Sequence, residues 1–438
     1  MKLGTHIISY VIGSIYGEKV ELLFAVSVVL PMKVLQVNVR LQEGGAARIA
    51  LDLHRQLLNA GVESQFAYGW GEKGGKSSAE ACVPHSFQVG QQAQVASNML
   101  LHKVAGIDCV QPFGVSRKRF LEAILWADVV HLHVVHSYFV PFNWLVKALV
   151  RAAKPVVWTA HDYWLLTGRC ACTEGCEAWR KGCGTCLTQK NYPPAYLDFS
   201  AAQFKAKREL LDELGSLLHV VAPSEFVAQA IRAGLPNMRV SVIPNWIDSE
   251  FEAALSEMQL STAPLSPTTE KIKVIVVAND LSDATKVDQE LINRLLEIRH
   301  VELHTVGHNS PFSGIRVVNH GRIAQRKRMV EIISATDMAL FTSEKDTFGL
   351  VMIEALACGI PVFAVDSLAA KEVLSAMDIQ PIKNKELIVN MLLNAELPSY
   401  YLGLSKVELQ DKVIRSFGKT VAVARYVALY DSVALKIE

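Results

Sequence analysis

Apolar positions in this chain gather into short continuous runs, separated by longer stretches of mixed character. Lys33–Asn38 and residues 127–134 (ADVVHLHV), 155–160, 219–223 and 240–243 are such runs in the first half. Residues 273–278, 301–306, 316–319, 338–341 and the PVFAV that opens at Pro361 repeat the habit in the second. Runs of this kind read as strands buried on both faces. Between them, residues 48–59, 201–214, 225–233 and 291–297 read as helices. The alternation predicts an α/β chain with parallel sheets. Polar residues 249–270, with SPTT among them, break the pattern and read as a linker. Domains are therefore expected over 32–248 and 271–415, followed by a terminal segment over 416–438.

Residues 1–31 stand apart. Their two apolar runs, 7–16 and 22–30, are each shorter than the roughly 18–20 residues that span a bilayer. Lys2 is a weak start for a signal peptide, and no small-residue cleavage site follows. Met32-Lys33-Val34 opens as a first strand often does, so Met32 is read as the natural start and the preceding segment as an extension; the other reading is a membrane-touching segment.

Composition narrows the class. With 438 residues and a formal charge of +1, the chain has no polyanion-binding field, and nucleic acid is not expected as a partner. Arg117, Lys118, Arg119, Lys147, Arg151 and Lys154 are a modest basic set of the kind that usually forms a solvated face. Five of the eight cysteines lie between 170 and 186, and Cys170, Cys176, Cys183 and Cys186 are spaced C-x5-C-x6-C-x2-C. Four thiolates in so short a loop predict one closed structural zinc site, with Cys172 spare. The insertion spans 168–190.

Candidate chemistry concentrates in residues 343–361, SEKDTFGLVMIEALACGIP. Asp346 stands where a helix is expected to begin, Phe348, Gly349 and Leu350 would form its first turn, and Gly359 would stop it. Glu354 is a carboxylate among apolar neighbours, which is costly to bury without a partner. Free amides at a helix start suit a diphosphate. The plainer alternative makes Asp346 an N-cap and Glu354 a solvated or snorkelling acid. Gly44 and Gly45, in EGGAA, form a turn that lets backbone approach an anionic ligand. His133 and His161 fall at carboxyl ends of strands, where ligands of open α/β sheets collect.

DTFGLVMIEALACGIPV resembles the signature of the retaining glycosyltransferases of the GT-B fold, family 4. IPNWID at 243–248 resembles that family's IPNGID, with Trp246 where Gly is usual. HDYWLLTGRC, GCEAWRKGC and NYPP are similar to the members that build colanic-acid-type exopolysaccharides. The resemblance implies two Rossmann-like domains facing across a cleft, with the terminal helix crossing back onto the first. It places Asp346 and His161 near the donor sugar, the Phe348, Gly349 and Leu350 amides on the diphosphate, and Glu354 on the ribose. Lys286, Asn245, Gly44 and Gly45 join the donor site. Asp280 falls where the family usually carries Arg, and Glu344 could substitute for the shorter Asp346.

The activity so implied is transfer of a hexose from a nucleoside-diphosphate sugar to a lipid-linked oligosaccharide, with anomeric retention and no catalytic metal. It would take place in the cytoplasm, peripherally at the inner membrane. A nucleotide-sugar 2-epimerase of the same fold and a non-catalytic scaffold are the rival readings.

Overall fold

A computed structural model describes residues 31–70, 83–106, 114–173, 175–186, 192–266 and 271–435, together with the short strands His6–Ile7 and Ser27–Val28. Those two strands pair antiparallel with each other and join neither large sheet. The expectations for the rest of 1–31 lie outside the described residues.

The first sheet is built from β1 (Lys33–Asn38), β2 (Glu63–Tyr68), β3 (Ser86–Gln88), β4 (Val129–Leu132), β5 (Val156–Thr159), β6 (Leu218–Ala222) and β7 (Arg239–Val242). All seven strands are parallel, in the order β3-β2-β1-β4-β5-β6-β7. Helix α1 (Gly45–Asn59) follows β1, and α2 (Gln92–Ala105), α3 (Gly114–Trp126), α4 (Phe142–Arg151), α5 (Ser200–Leu214) and α6 (Glu225–Gly234) complete the layers. Val34, Leu35 and Val37 are wholly buried, as central strands covered on both faces require.

The residues expected as linker begin instead with a helix, α7 (Ser249–Ser256). Asp248 caps it by accepting from the Phe251 amide at 3.0 Å, and Phe251, Ala254 and Leu255 enter the second domain's core. Polar residues on its outer face hide this stripe in the sequence.

The second sheet repeats the plan. Its strands β8 (Ile272–Asp280), β9 (Val301–His308), β10 (Val317–Asn319), β11 (Met338–Phe341) and β12 (Val362–Ala364) run parallel in the order β10-β9-β8-β11-β12. Helices α8 (Gln289–Glu297), α9 (Arg326–Ser334), α10 (Leu350–Ala357), α11 (Leu368–Ser375), α12 (Lys385–Leu393) and α13 (Lys406–Phe417) surround it. Each sheet reverses its strand order beside its first strand, the kind of switch point where α/β proteins bind ligands.

Terminal helix α14 (Lys419–Ala434) returns to the first domain. Ala422, Tyr426, Leu429, Tyr430 and Val433 pack with Val34, Ile49, Leu53, Val157 and Trp246 in one apolar cluster. No helix of the described residues is long and apolar enough to cross a membrane.

Candidate functional site

The glycine turn makes the first half of the site. Gly44 ends the loop from β1 at φ 87°, a conformation open to glycine, and precedes α1. A Cβ on Gly45 would stand 3.0 Å from Leu350 Cδ1. Gly45 and Leu350 are the first residues of α1 and α10, so one helix from each domain begins at this contact.

The second half departs from the sequence reading. Helix α10 starts at Leu350, after Gly349 at φ 85°, and Asp346 does not cap it. A left-handed residue cannot lie inside a right-handed turn, so Phe348 and Gly349 remain outside the helix. Phe348 turns inward against Phe417, leaving only its backbone for a ligand.

Glu354 is 7 % exposed, which excludes the solvated reading. Its partner is Arg326, the first residue of α9, which also binds Asp248. Burial opposes the guanidinium's charge, but the Glu354 and Asp248 carboxylates hold Arg326 above the ordinary arginine value. Gly44, Gly45, Arg48, Arg322, Arg326 and Glu354 all line one interdomain cavity. Arg322 meets Glu43 of the first domain at 2.8 Å. Arg48 Nη1 is buried with no hydrogen-bond partner among the described residues. Its pKa is lowered by burial and then by the like charge of Arg326.

A second cluster adjoins. Lys286 Nζ donates to Asp346 Oδ1 at 2.6 Å. Burial works against Lys286, yet the Asp346 carboxylate leaves its pKa raised. Thr347, the next residue, donates from Oγ1 to the His161 carbonyl at 2.8 Å, and its own carbonyl accepts from Ser224 Oγ at 2.8 Å. The His161 backbone of the first domain thus meets Thr347, the residue that follows Asp346, in the second. His161 Nε2 lies 2.9 Å from His133 Nδ1, and burial lowers the His161 pKa to about 4.

Glu344 faces Lys385 at 3.5 Å instead of Lys286. Asp280 accepts from Ser282 and from Asn309 Nδ2 at 2.9 Å, bonds that hold its carboxyl below the usual range. Asn245 is buried in the segment that passes from β7 to α7.

The structure does not support the expected four-thiolate zinc site: among the described residues, no three His, Cys, Asp or Glu side chains are gathered to hold a metal ion. Cys183 Sγ accepts from the Gly168 amide at 3.2 Å, and Cys186 Sγ faces the Arg169 guanidinium at 3.6 Å. Two of the four expected ligands therefore face N–H donors from the loop itself. Buried Lys207 also orders the loop, donating to the carbonyls of Trp164, Thr167 and Gly168.

Arg326, Asp248 and Arg48 were not singled out by the sequence reading. The isolated Glu354 gave the signal that a partner must lie near it, but nothing in its own segment pointed to Arg326.

Two Rossmann-like domains that close on such a cavity have the architecture of the GT-B fold. The sequence profile described as Glycosyltransferase Family 4 matches residues 43–251, and that described as Glycosyl transferases group 1 matches 314–389. A colanic acid biosynthesis glycosyl transferase, WcaC of Escherichia coli (strain K12), is 34% identical over 409 residues, covering 92% of this chain and 100% of that protein. The chain belongs to glycosyltransferase family 4. Among solved structures, Anabaena HepE in complex with UDP and glucose superposes with a TM-score of 0.59 at 16% identity, covering 92% of this chain and 100% of that one. Sucrose-phosphate synthase from Thermosynechococcus elongatus gives 0.58 at 16% identity, over 92% and 98% of the two chains.

Proposed function

We propose that this glycosyltransferase moves a hexose from a nucleoside-diphosphate sugar to a lipid-linked oligosaccharide, with retention, in the assembly of a colanic-acid-like exopolysaccharide. The observation that carries the reading is the convergence of the glycine turn, Glu354 and three arginines on one interdomain cavity. The name of the Escherichia coli relative supports the pathway, and the UDP and glucose of the HepE complex support the donor class.

In this reading Glu354 accepts hydrogen bonds from the ribose hydroxyls. Backbone at Gly44, Gly45, Phe348, Gly349 and Leu350 faces the diphosphate, with Asn245 nearby. His161 and Asp346 border the hexose. The bond from the anomeric carbon to the diphosphate breaks, and the departing oxygen's charge is stabilised by Lys286 and the helix amides. The acceptor hydroxyl bonds to the same face and passes its proton to the departing diphosphate oxygen. This electrostatic role requires no metal.

Peripheral contact with the inner face of the membrane belongs to the same proposal. Arg117, Lys147 and Arg151 line a groove on the first domain beside Leu121, Leu125 and Trp144. Basic and apolar groups together suit a surface of anionic lipid.

The test is incubation with a panel of nucleotide sugars and membrane extract, following nucleoside-diphosphate release and the anomer formed. Release that depends on extract and preserves the anomeric configuration supports the reading. Isomerised or hydrolysed donor without acceptor would point to an epimerase, and binding without turnover to a scaffold.

A further inference from the structure

Behind His161 runs a line of buried polar side chains that the reaction as described does not use. His133 Nε2 lies 2.7 Å from Gln36 Oε1. Gln36 Nε2 reaches the Tyr430 hydroxyl at 3.4 Å, which lies 2.6 Å from His131 Nδ1. His131 Nε2 lies 2.8 Å from Thr159 Oγ1, which is 2.9 Å from the Tyr426 hydroxyl. Gln36, His131 and Thr159 are wholly buried, as is Tyr430 on α14.

The donors can be assigned in sequence. An amide oxygen only accepts, so His133 must carry its proton on Nε2. Burial drives His131 and His133 far below the ordinary histidine range, so both rings are neutral. His133 Nδ1 then accepts, and His161 donates from Nε2. On the other side, Gln36 Nε2 donates to the Tyr430 hydroxyl, and His131, Thr159 and Tyr426 continue the line of hydrogen-bonded groups. From His161 to Tyr430 the bonds point the same way, an arrangement in which each polarises the next.

We propose that Gln36, His133, His131 and Tyr430 are positioning residues that fix His161 as its Nε2–H tautomer, leaving Nδ1 to accept from a hydroxyl of the transferred sugar. The proposal rests on the reading that His161 borders the donor sugar. The terminal helix supplies the far anchor, so a hydroxyl on α14 governs the state of a ring at the cleft.

The test uses the full chain. Nitrogen chemical shifts of labelled histidine should show His161 protonated on Nε2 in the wild type and a tautomer mixture in Gln36→Leu. A wild-type His161 protonated on Nδ1 would overturn the chain of donors. His133→Phe and Tyr430→Phe should each lower kcat about 10- to 100-fold while the Kd for UDP or GDP stays within about twofold. His133→Asn, whose amide can still accept from His161, should recover part of the loss. Loss of kcat and nucleotide affinity together, or unchanged kcat in both variants, would refute the positioning role. A protein with no turnover on any nucleotide sugar would refute the functional reading, and the tautomer measurement would still decide the chain.

Discussion

Lys286 and Asp346, 60 residues apart, form a 2.6 Å ion pair in the second domain, beside the loop that leads into α10. Both are only partly covered, at 36% and 25% side-chain exposure, so the pair contributes at most about 1 kcal/mol to folding. Lys286→Ala should therefore leave the melting temperature nearly unchanged and reduce nucleoside-diphosphate release by about 100-fold or more. Parallel loss of stability and turnover would make Lys286 a structural residue.

Arg326 predicts the opposite balance. It lies between the buried Asp248 and Glu354 carboxylates, and Arg326→Ala strands both. A stability loss of about 3–5 kcal/mol is expected in urea titration. Glu354→Gln keeps a hydrogen-bonding group, so the fold should survive while nucleotide binding weakens by about 1–3 kcal/mol. Calorimetry showing unchanged nucleotide affinity would confine Glu354 to holding Arg326.

Strand and helix alternation was legible because both faces of each sheet are covered, which makes the strands continuous apolar runs. The start of α10 was misread because Asp346 has the chemistry of a cap, whereas the conformation of Gly349 decides where the helix begins. Glu354 announced a partner without locating it, since Arg326 opens a different helix. His131 had a signal that went unused: in ADVVHLHV it stands two residues before His133, on the same face of the strand. Tyr426 and Tyr430 share a face of α14 in the same way, but only the fold brings the two faces together.

Folding stability should fall on acidification. His161 titrates at about 4 in the native protein, and His131 and His133 are also pushed down by burial. In the unfolded chain each titrates near about 6.5. Above that pH both states are neutral and the full stability is present. Below it the unfolded chain takes up protons that the native rings refuse. Stability should drop as pH falls from about 6.5 toward 4, by about 1.4 kcal/mol per pH unit for each such histidine. Urea midpoints that stay level between about pH 7 and pH 5 would contradict the neutral assignment.

Trp246 stands where the resembling motif has glycine, and the structure gives it a task. It is 1% exposed, packs against Tyr426, and donates from Nε1 to Asp52 Oδ2 at 2.7 Å. Trp246→Gly should cost about 3–5 kcal/mol through the cavity it opens. Trp246→Phe, losing chiefly the hydrogen bond, should cost only about 1–2 kcal/mol. Equal costs in chemical denaturation would mean that the bond to Asp52, and not the packing, dominates.

The return of α14 to the first domain also sets an order of assembly on the ribosome. Tyr430 meets Gln36 across 394 residues of sequence and His131 across 299. When β7 has been synthesised, the first sheet has all its strands but lacks the hydroxyl that satisfies two of its buried polar groups. The apolar face around Val34 and Val157 is also uncovered. The whole second domain must then be translated before α14 emerges to close that face. A nascent chain therefore exposes a nearly finished sheet for most of the second domain's synthesis, a state open to chaperone binding and to aggregation. The domain translated first is the one completed last.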